Sequence, residues 1–223
     1  MTKLTDLEIK KRLFAHKVYI LSNGKHGIKL NMEKCNLSGS DLSYSNLSYS
    51  NLSGSNLRGS NLRHSNLSYS DLSGSNLRHS NLRHSNLRYS DLSYSYLSGS
   101  DLRGSDLSYS NLSYSDLSGS NLRGSNLRHS NLSYSDLSGS DLSDSNLSYS
   151  NLSGSNLDYS CWGLSCKTLN VKIDKKIAVQ LLYHTMRAMQ SVDDKECKEF
   201  LRNKSNMKLV NQFHRVEECG EIT

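Results

Sequence analysis

Leucine falls at every fifth position from Leu37 to Leu157, twenty-five times without a gap, and each is separated from the next by four non-aliphatic residues. The residue before each leucine is Asn or Asp, apart from Tyr96, and the residue two before it is Ser, apart from Cys35. The residue after it is Ser or Arg, apart from Asp158, and the last slot of each unit holds Gly, Tyr or His, apart from Asp144. One leucine in five makes no continuous stripe on a helix, and in a flat strand the odd spacing sends successive leucines to opposite faces. The pattern is met by a chain that turns a corner in every unit and points each leucine at a common axis. That is a solenoid, in which each short side buries its leucine only by stacking coil on coil.

The variable last slot sets the number of units per coil. At a lag of four units it repeats in 11 of 21 comparisons, against 8 of 22 at three and 7 of 20 at five, which favours twenty residues per coil. The slot then resolves into columns. One holds Gly39, Gly59, Gly99, Gly119 and Gly139, interrupted by His79; another holds Tyr49, Tyr69, Tyr89, Tyr109 and Tyr149, interrupted by His129; a shorter one holds Tyr94, Tyr114 and Tyr134. Like residues would stack at the strand spacing of ~4.8 Å.

The Ser-(Asn/Asp)-Leu-(Ser/Arg)-x units resemble the pentapeptide-repeat family, whose unit is Ala-(Asp/Asn)-Leu-x-x. The resemblance spans residues 35–160 of 223. It implies an all-β solenoid, a right-handed quadrilateral β-helix with four units per coil and about six coils, ~30 Å long at ~4.8 Å per coil. Leucine and the residue two before it would point inward. Here that second residue is Ser where the family prefers Ala, so each buried hydroxyl needs a partner, most simply a backbone carbonyl of its own turn.

The ends abandon the repeat. In residues 1–34, Thr5 and Glu8 form a capping box ahead of Ile9, Leu13, Phe14, Val18, Ile20 and Leu21, which predicts a helix from Asp6 to Leu21 ended by Ser22-Asn23-Gly24. It is expected to cover the open first coil. Residues 161–223 continue the phase briefly, with Trp162 where a leucine belongs. Asp174 then caps a helical stripe of Ile177, Ala178, Leu181, Leu182, Thr185, Met186 and Met189. Further helices are expected after Asp193 and over 207–214. This tail resembles those that follow the repeats in some phage and bacterial members, and it is expected to cap the solenoid or to form a homodimer.

Hydrophobic content of 35% and a mean hydropathy of −0.62 would alone suggest disorder, but the few apolar residues are regularly placed. There is no signal peptide and no apolar run near 18 residues, so no membrane is expected. Five scattered cysteines fit a reducing cytoplasm. Cys161 and Cys166 with His184 or His214 lack the second half of a zinc motif. Serine is a structural slot with nothing to mark one hydroxyl as activated, so neither enzyme nor cofactor nor metal is expected.

Charge narrows the choice of partner. The repeat carries eight Arg and ten Asp, whereas residues 1–34 carry eight Lys/Arg against three acids. With four units per coil, Arg63, Arg83, Arg103 and Arg123 stack in a column, with Arg58, Arg78, His64, His79 and His84 around the adjoining corner. Like charges ~5 Å apart repel by about 1 kcal/mol, so the column favours an anionic partner unless neighbouring Asp residues neutralise it. Tyr49, Tyr69, Tyr89 and Tyr109 make either a structural ladder or a strip for protein or base contact. The chain is therefore expected to be a non-enzymatic binding scaffold for a macromolecule, with a protein as the leading partner and nucleic acid the alternative. The resemblance also implies a DNA mimic that inhibits or protects an enzyme such as gyrase, for which Asp101, Asp106, Asp116, Asp136, Asp141 and Asp144 are the acidic surface. An anion or nucleotide binder and a self-associating structural protein remain open.

Overall fold

The structure, a computed structural model, describes residues 1–162, 168, 170–189 and 199. The expected helices beyond Asp193, and Cys166 and His214, lie outside them. The chain divides into two compact units, Met1–Lys172 and Ile173–Thr223.

In the first unit, parallel bridges run from Asn31↔Asn51 to Asp141↔Cys161, each joining residues twenty apart, so four pentapeptides make a coil of a β-helix. The reason lies in where five backbone N–H groups go. In the unit Asn111–Ser115, Asn111 N–H donates to Ser90 O at 3.0 Å, Leu112 N–H to Asn131 O at 2.7 Å, and Tyr114 N–H to Ser133 O at 3.0 Å, all across coils. Ser115 N–H closes the turn on Leu112 O at 3.3 Å. The remaining donor, Ser113 N–H, is taken by the Asn111 side-chain Oδ1 at 3.2 Å. The Asn/Asp slot is thus an Asx turn that accepts the one N–H the ladder leaves over.

Strands are shorter than an all-β solenoid suggests. Among the described residues only β1 (Thr2–Lys3) and β2 (Cys35–Asn36), paired in parallel, hold two consecutive ladder residues. Elsewhere each side is a single bridge, because five residues must also hold a corner.

Leu37 to Leu157 are each at most 4% exposed. The inward serines answer their hydroxyls as expected: Ser50 Oγ donates to Leu47 O at 2.6 Å and Ser95 Oγ to Leu92 O at 2.5 Å, each within its own turn. Ser55, Ser60, Ser75, Ser120 and Ser125 have a buried Oγ with no partner, and all five follow a glycine.

Helix α1 spans Asp6–Leu21, with the Thr5–Glu8 capping box formed in both directions. Residues 30–34, which the sequence assigns to the terminal segment, take the geometry of the repeat. Met32 occupies a leucine position at 0% exposure, and Lys34 has the positive φ of a repeat corner. The α1 helix is tied to this start by His16, which is fully buried. Its Nδ1 accepts the Leu30 N–H at 3.1 Å, so Nε2 carries the proton and donates to Ser48 O at 2.9 Å. At the other end, Cys161 pairs with Asp141 in phase, and Lys172 bridges Asn151 one residue out of register.

In the second unit, helix α2 spans Lys175–Met189, and Asp174 Oδ1 accepts the Ile177 N–H at 3.0 Å as the cap predicts. Among its described side chains the buried ones are Ile177, Val179, Tyr183 and Met186, whereas Ala178 and Thr185 of the expected stripe are exposed. Val179, Tyr183 and Met186 recur at i, i+4 and i+7 and bring more apolar surface than Ala and Thr.

Two predictions follow from these partners. Ser75→Ala removes an orphaned hydroxyl and is expected to leave stability unchanged or raise it, whereas Ser95→Ala removes a bonded one and is expected to cost about 1 kcal/mol; urea unfolding midpoints of the two variants decide. Burial pushes the His16 imidazole below its ordinary value and the Lys29 ammonium adds to this, outweighing the Ser48 carbonyl. The unfolded chain therefore binds the proton more tightly, so the His16 contribution is complete above pH of about 6.5 and is lost as pH falls through the lowered folded value. Thermal unfolding of the wild type should fall over that window by more than that of His16→Gln, which keeps one donor and one acceptor.

Candidate binding faces

All twenty-five last-slot residues, from Gly39 to Tyr159, have φ between +56° and +74°. With the Ser N–H bonding back to the Leu carbonyl, each corner is a β-turn whose third residue is left-handed, the position at which glycine is favoured. Ten of the twenty-five are glycine, but fifteen are not. An L residue there carries a cost of roughly 1–2 kcal/mol, which stacking can offset.

Stacking is what the structure shows. Tyr49, Tyr69, Tyr89, Tyr109, His129 and Tyr149 form one continuous pile with ring centroids 4.7–5.0 Å apart. Tyr94, Tyr114 and Tyr134 form a second at 5.0–5.1 Å. Adjacent planes lie within 18° of parallel, so ring faces are turned to their neighbours and edges and hydroxyls face outward. Where a ring overhangs the next coil, a small residue sits beneath it: a Cβ on Gly104 would stand 2.6 Å from His84 Nδ1.

The two piles occupy successive corners. The face between them carries an amide ladder, with Asn111 Nδ2 donating to Asp91 Oδ1 at 3.2 Å and Asn131 Nδ2 to Asn111 Oδ1 at 3.3 Å. The result is a polar strip with an aromatic rail on either side.

The arginines are divided between corners. Arg63, Arg83, Arg103 and Arg123 share one corner with His64 and His84, whose rings stack at 5.2 Å, while Arg58, Arg78 and His79 belong to the corner before it. Much of this charge is neutralised. Arg103 donates twice to the Asp101 carboxylate, at 2.9 and 2.6 Å, Arg83 lies 3.9 Å from the same group, and Arg123 lies 3.4 Å from Asp144. Burial pushes the Asp101 carboxyl up, but the hydrogen bonds from Arg103 outweigh it and hold the group below the usual carboxylate range. The first members differ: Arg63 donates to the Tyr44 hydroxyl at 3.0 Å, and Arg58 has no ion pair among the described residues. Desolvation, with Arg63, His84 and Arg83 nearby, lowers the His64 imidazole from its ordinary value, which favours its neutral form.

Sequence reasoning passed over one residue whose signal was in view. Tyr96 alone breaks the Asn/Asp slot, so no side chain supplies the Asx acceptor for Ser98 N–H. The Arg78 guanidinium lies 4.3 Å from the Tyr96 ring centroid, and its Nε donates to Ser98 Oγ at 3.3 Å. The unit without the Asx turn bond is instead where an arginine lies over an aromatic ring.

Among the described residues no group of His, Cys, Asp and Glu could hold a metal ion, and no helix is long and apolar enough to cross a membrane. What the coils display is a set of flat faces and corners whose chemistry is set by outward slots, and that defines a repeat solenoid. The family model for pentapeptide repeats, in eight copies, matches residues 29–59, 55–93, 85–124 and 120–158, and the chain belongs to that family. No curated protein gives a significant match. Among solved structures, the chain is similar to trypsin-treated QnrB1, a plasmid-mediated fluoroquinolone resistance protein, at 22% identity and a TM-score of 0.39, covering 70% of this chain and 84% of that one. It is also similar to HetL of Nostoc sp. strain PCC 7120, involved in heterocyst differentiation regulation, at 21% identity and a TM-score of 0.28, covering 76% and 94%. A pentapeptide repeat protein of the Arabidopsis thaliana thylakoid lumen shares 29% identity at a TM-score of 0.21, covering 48% and 68%.

The balance of strain and stacking gives a prediction at Tyr89. Tyr89→Ala keeps the left-handed strain and loses both ring contacts, so it should destabilise by about 1–3 kcal/mol. Tyr89→Gly loses the same contacts but relieves the strain, and should unfold at a clearly higher denaturant concentration than the alanine variant.

Proposed function

We propose that this protein is a non-enzymatic scaffold that binds a protein partner through the face between its two tyrosine piles. The observation that carries this is the pair of aromatic rails, Tyr89 and Tyr109 on one corner and Tyr94, Tyr114 and Tyr134 on the next, all exposed beside a hydrogen-bonding amide ladder. Tyrosine is enriched where proteins meet, because it offers a large rigid surface with a polar tip. The ring faces are already occupied by one another, which leaves edges and hydroxyls for contact and gives a nucleobase little to stack on. The pairing of Arg83, Arg103 and Arg123 with aspartates weighs against an anion or nucleotide site in that column. It also removes negative charge from the half of the rod that a DNA mimic would need.

This reading takes the coils as right-handed and about six in number, with α1 closing one end, and keeps the protein in the cytoplasm. The test is affinity capture from a bacterial lysate with the wild type, with Tyr94→Gly/Tyr114→Gly/Tyr134→Gly, and with Arg63→Ala/Arg83→Ala/Arg103→Ala/Arg123→Ala. Glycine suits the left-handed corner, so the first variant should remain folded by circular dichroism. A protein captured by the wild type and the arginine variant but lost from the tyrosine variant supports the proposal. Gel shift of duplex or single-stranded DNA that depends on the arginines overturns it in favour of the anion reading. Concentration-dependent sedimentation with no captured protein overturns it in favour of self-association.

A further inference from the structure

Helix α1 has two apolar faces, and only one is used by the fold. Ile9 and His16 are buried on the inner side, with Leu13 and Ile20 half-buried beside them. On the outer side Leu7, Phe14 and Leu21 are 62%, 69% and 75% exposed. They recur at i, i+7 and i+14, so they form a single line along the helix, ~21 Å long. Lys10 and Lys17 run along one flank of that line, with Asp6 one turn before Lys10 on the same flank. Lys11 lies on the other flank with Glu8 one turn before it, so the lysines outnumber the acids beside the line. Glu8 is also held by Thr5. Beside the C-terminal half of the line is a groove of about 310 Å³, lined by Leu13, Lys17, Ile20, Leu21 and Tyr44 among others.

Three exposed large apolar side chains in a row cost solvation, and nothing in the fold requires them. We infer that this ridge is a docking surface for an acidic amphipathic helix of a partner protein, which lays its apolar stripe on Leu7, Phe14 and Leu21 and its carboxylates on Lys10, Lys11 and Lys17. The charge selects the occupant. A second copy would set lysines against lysines, which disfavours self-association at low salt. The width of the line selects it too. One apolar residue per two turns is a narrow line, half of a coiled-coil seam, that a partner helix can complete with its own apolar residues, whereas a bilayer is met by a broad apolar face. The adjacent groove gives a partner side chain a seat that a flat lipid surface would leave empty. This surface is separate from the tyrosine-railed face, and either can fail without the other.

The test uses the full chain and a synthetic helical peptide with leucines at heptad spacing flanked by glutamates. A second peptide has the same leucines flanked by lysines. Binding is read by fluorescence anisotropy at low and high salt. The expected result is saturable binding of the glutamate peptide, weaker in high salt, and at least tenfold weaker for both Phe14→Ser and Lys10→Glu/Lys17→Glu. These side chains are exposed, so both variants should unfold at the wild-type temperature, which separates a lost surface from a lost fold. Equal binding of the two peptides, or binding unchanged in the variants, overturns the inference. Co-sedimentation with phosphatidylserine-containing vesicles but no peptide binding also overturns it, in favour of a lipid surface. A dimer that Phe14→Ser disperses overturns it in favour of a second copy.

Discussion

The whole tube depends on the disposal of five backbone donors in every five residues. Three N–H groups cross to neighbouring coils, one closes the turn, and one is accepted by the Asn or Asp side chain of its own unit. An unanswered backbone donor at a buried position costs free energy on the scale of a lost hydrogen bond, and twenty-five repeats would multiply it. That constraint explains why the slot before leucine tolerates almost nothing but Asn and Asp. It also explains why a chain with so little apolar content holds together. Leucine supplies the hydrophobic interior, but the hydrogen-bond register decides that every leucine faces it.

The same register creates the strain that the outer surface then manages. A corner in every unit forces each last-slot residue into the left-handed region. Glycine accepts this at no steric cost, and most of the tyrosines and histidines accept it beside a stacked ring ~5 Å away in an adjacent coil, His79 between Gly59 and Gly99 being an exception. Columns of like rings are therefore a consequence of corner geometry as much as of any partner. What corner geometry leaves open is which corner carries rings. Three successive corners carry stacked rings, Tyr44–His64–His84 on the first and the two tyrosine piles on the next two, while the Gly39 corner is nearly bare.

Much of this was legible in the sequence because the period is a one-dimensional signal of a quasi-one-dimensional fold. The twenty-residue register, the inward leucines, the own-turn bonds of the serines, the tyrosine piles and the bounds of α1 could all be read from spacing and caps. What was hidden depends on distances that spacing does not carry. Leu30 and Met32 occupy inward positions without matching the Ser-x-Leu letters, so the start of the repeat geometry was placed at Cys35 instead. The left-handed corner was masked because fifteen side chains stand where glycine would have announced it. Reach of long side chains was hidden as well: Arg83 meets Asp101 eighteen residues on, and Arg78 meets Tyr96 at the same offset. His16 gave no signal, since a lone histidine on a helix looks like any other until both ring nitrogens are seen to have backbone partners.

The exchange of Asn for Asp bears most directly on function. Either side chain offers the same Oδ1 to the same N–H: Ser113 N–H reaches Asn111 at 3.2 Å, and Ser118 N–H reaches Asp116 at 3.0 Å. The fold is thus nearly indifferent to the choice, while the surface gains or loses a full charge. The slot after leucine is similarly free to be Ser or Arg. Outer electrostatics can therefore vary without disturbing the interior, and their distribution reflects something other than folding. In this chain the aspartates of the second half fall where arginines of earlier coils can reach them, from the preceding coil at Asp101 and Asp106 and from two coils back at Asp116. A surface built to attract a polyanion, or to imitate one, would separate the two signs into different columns. Here they are interleaved, which leaves uncharged aromatic edges as the most distinctive feature the coils present.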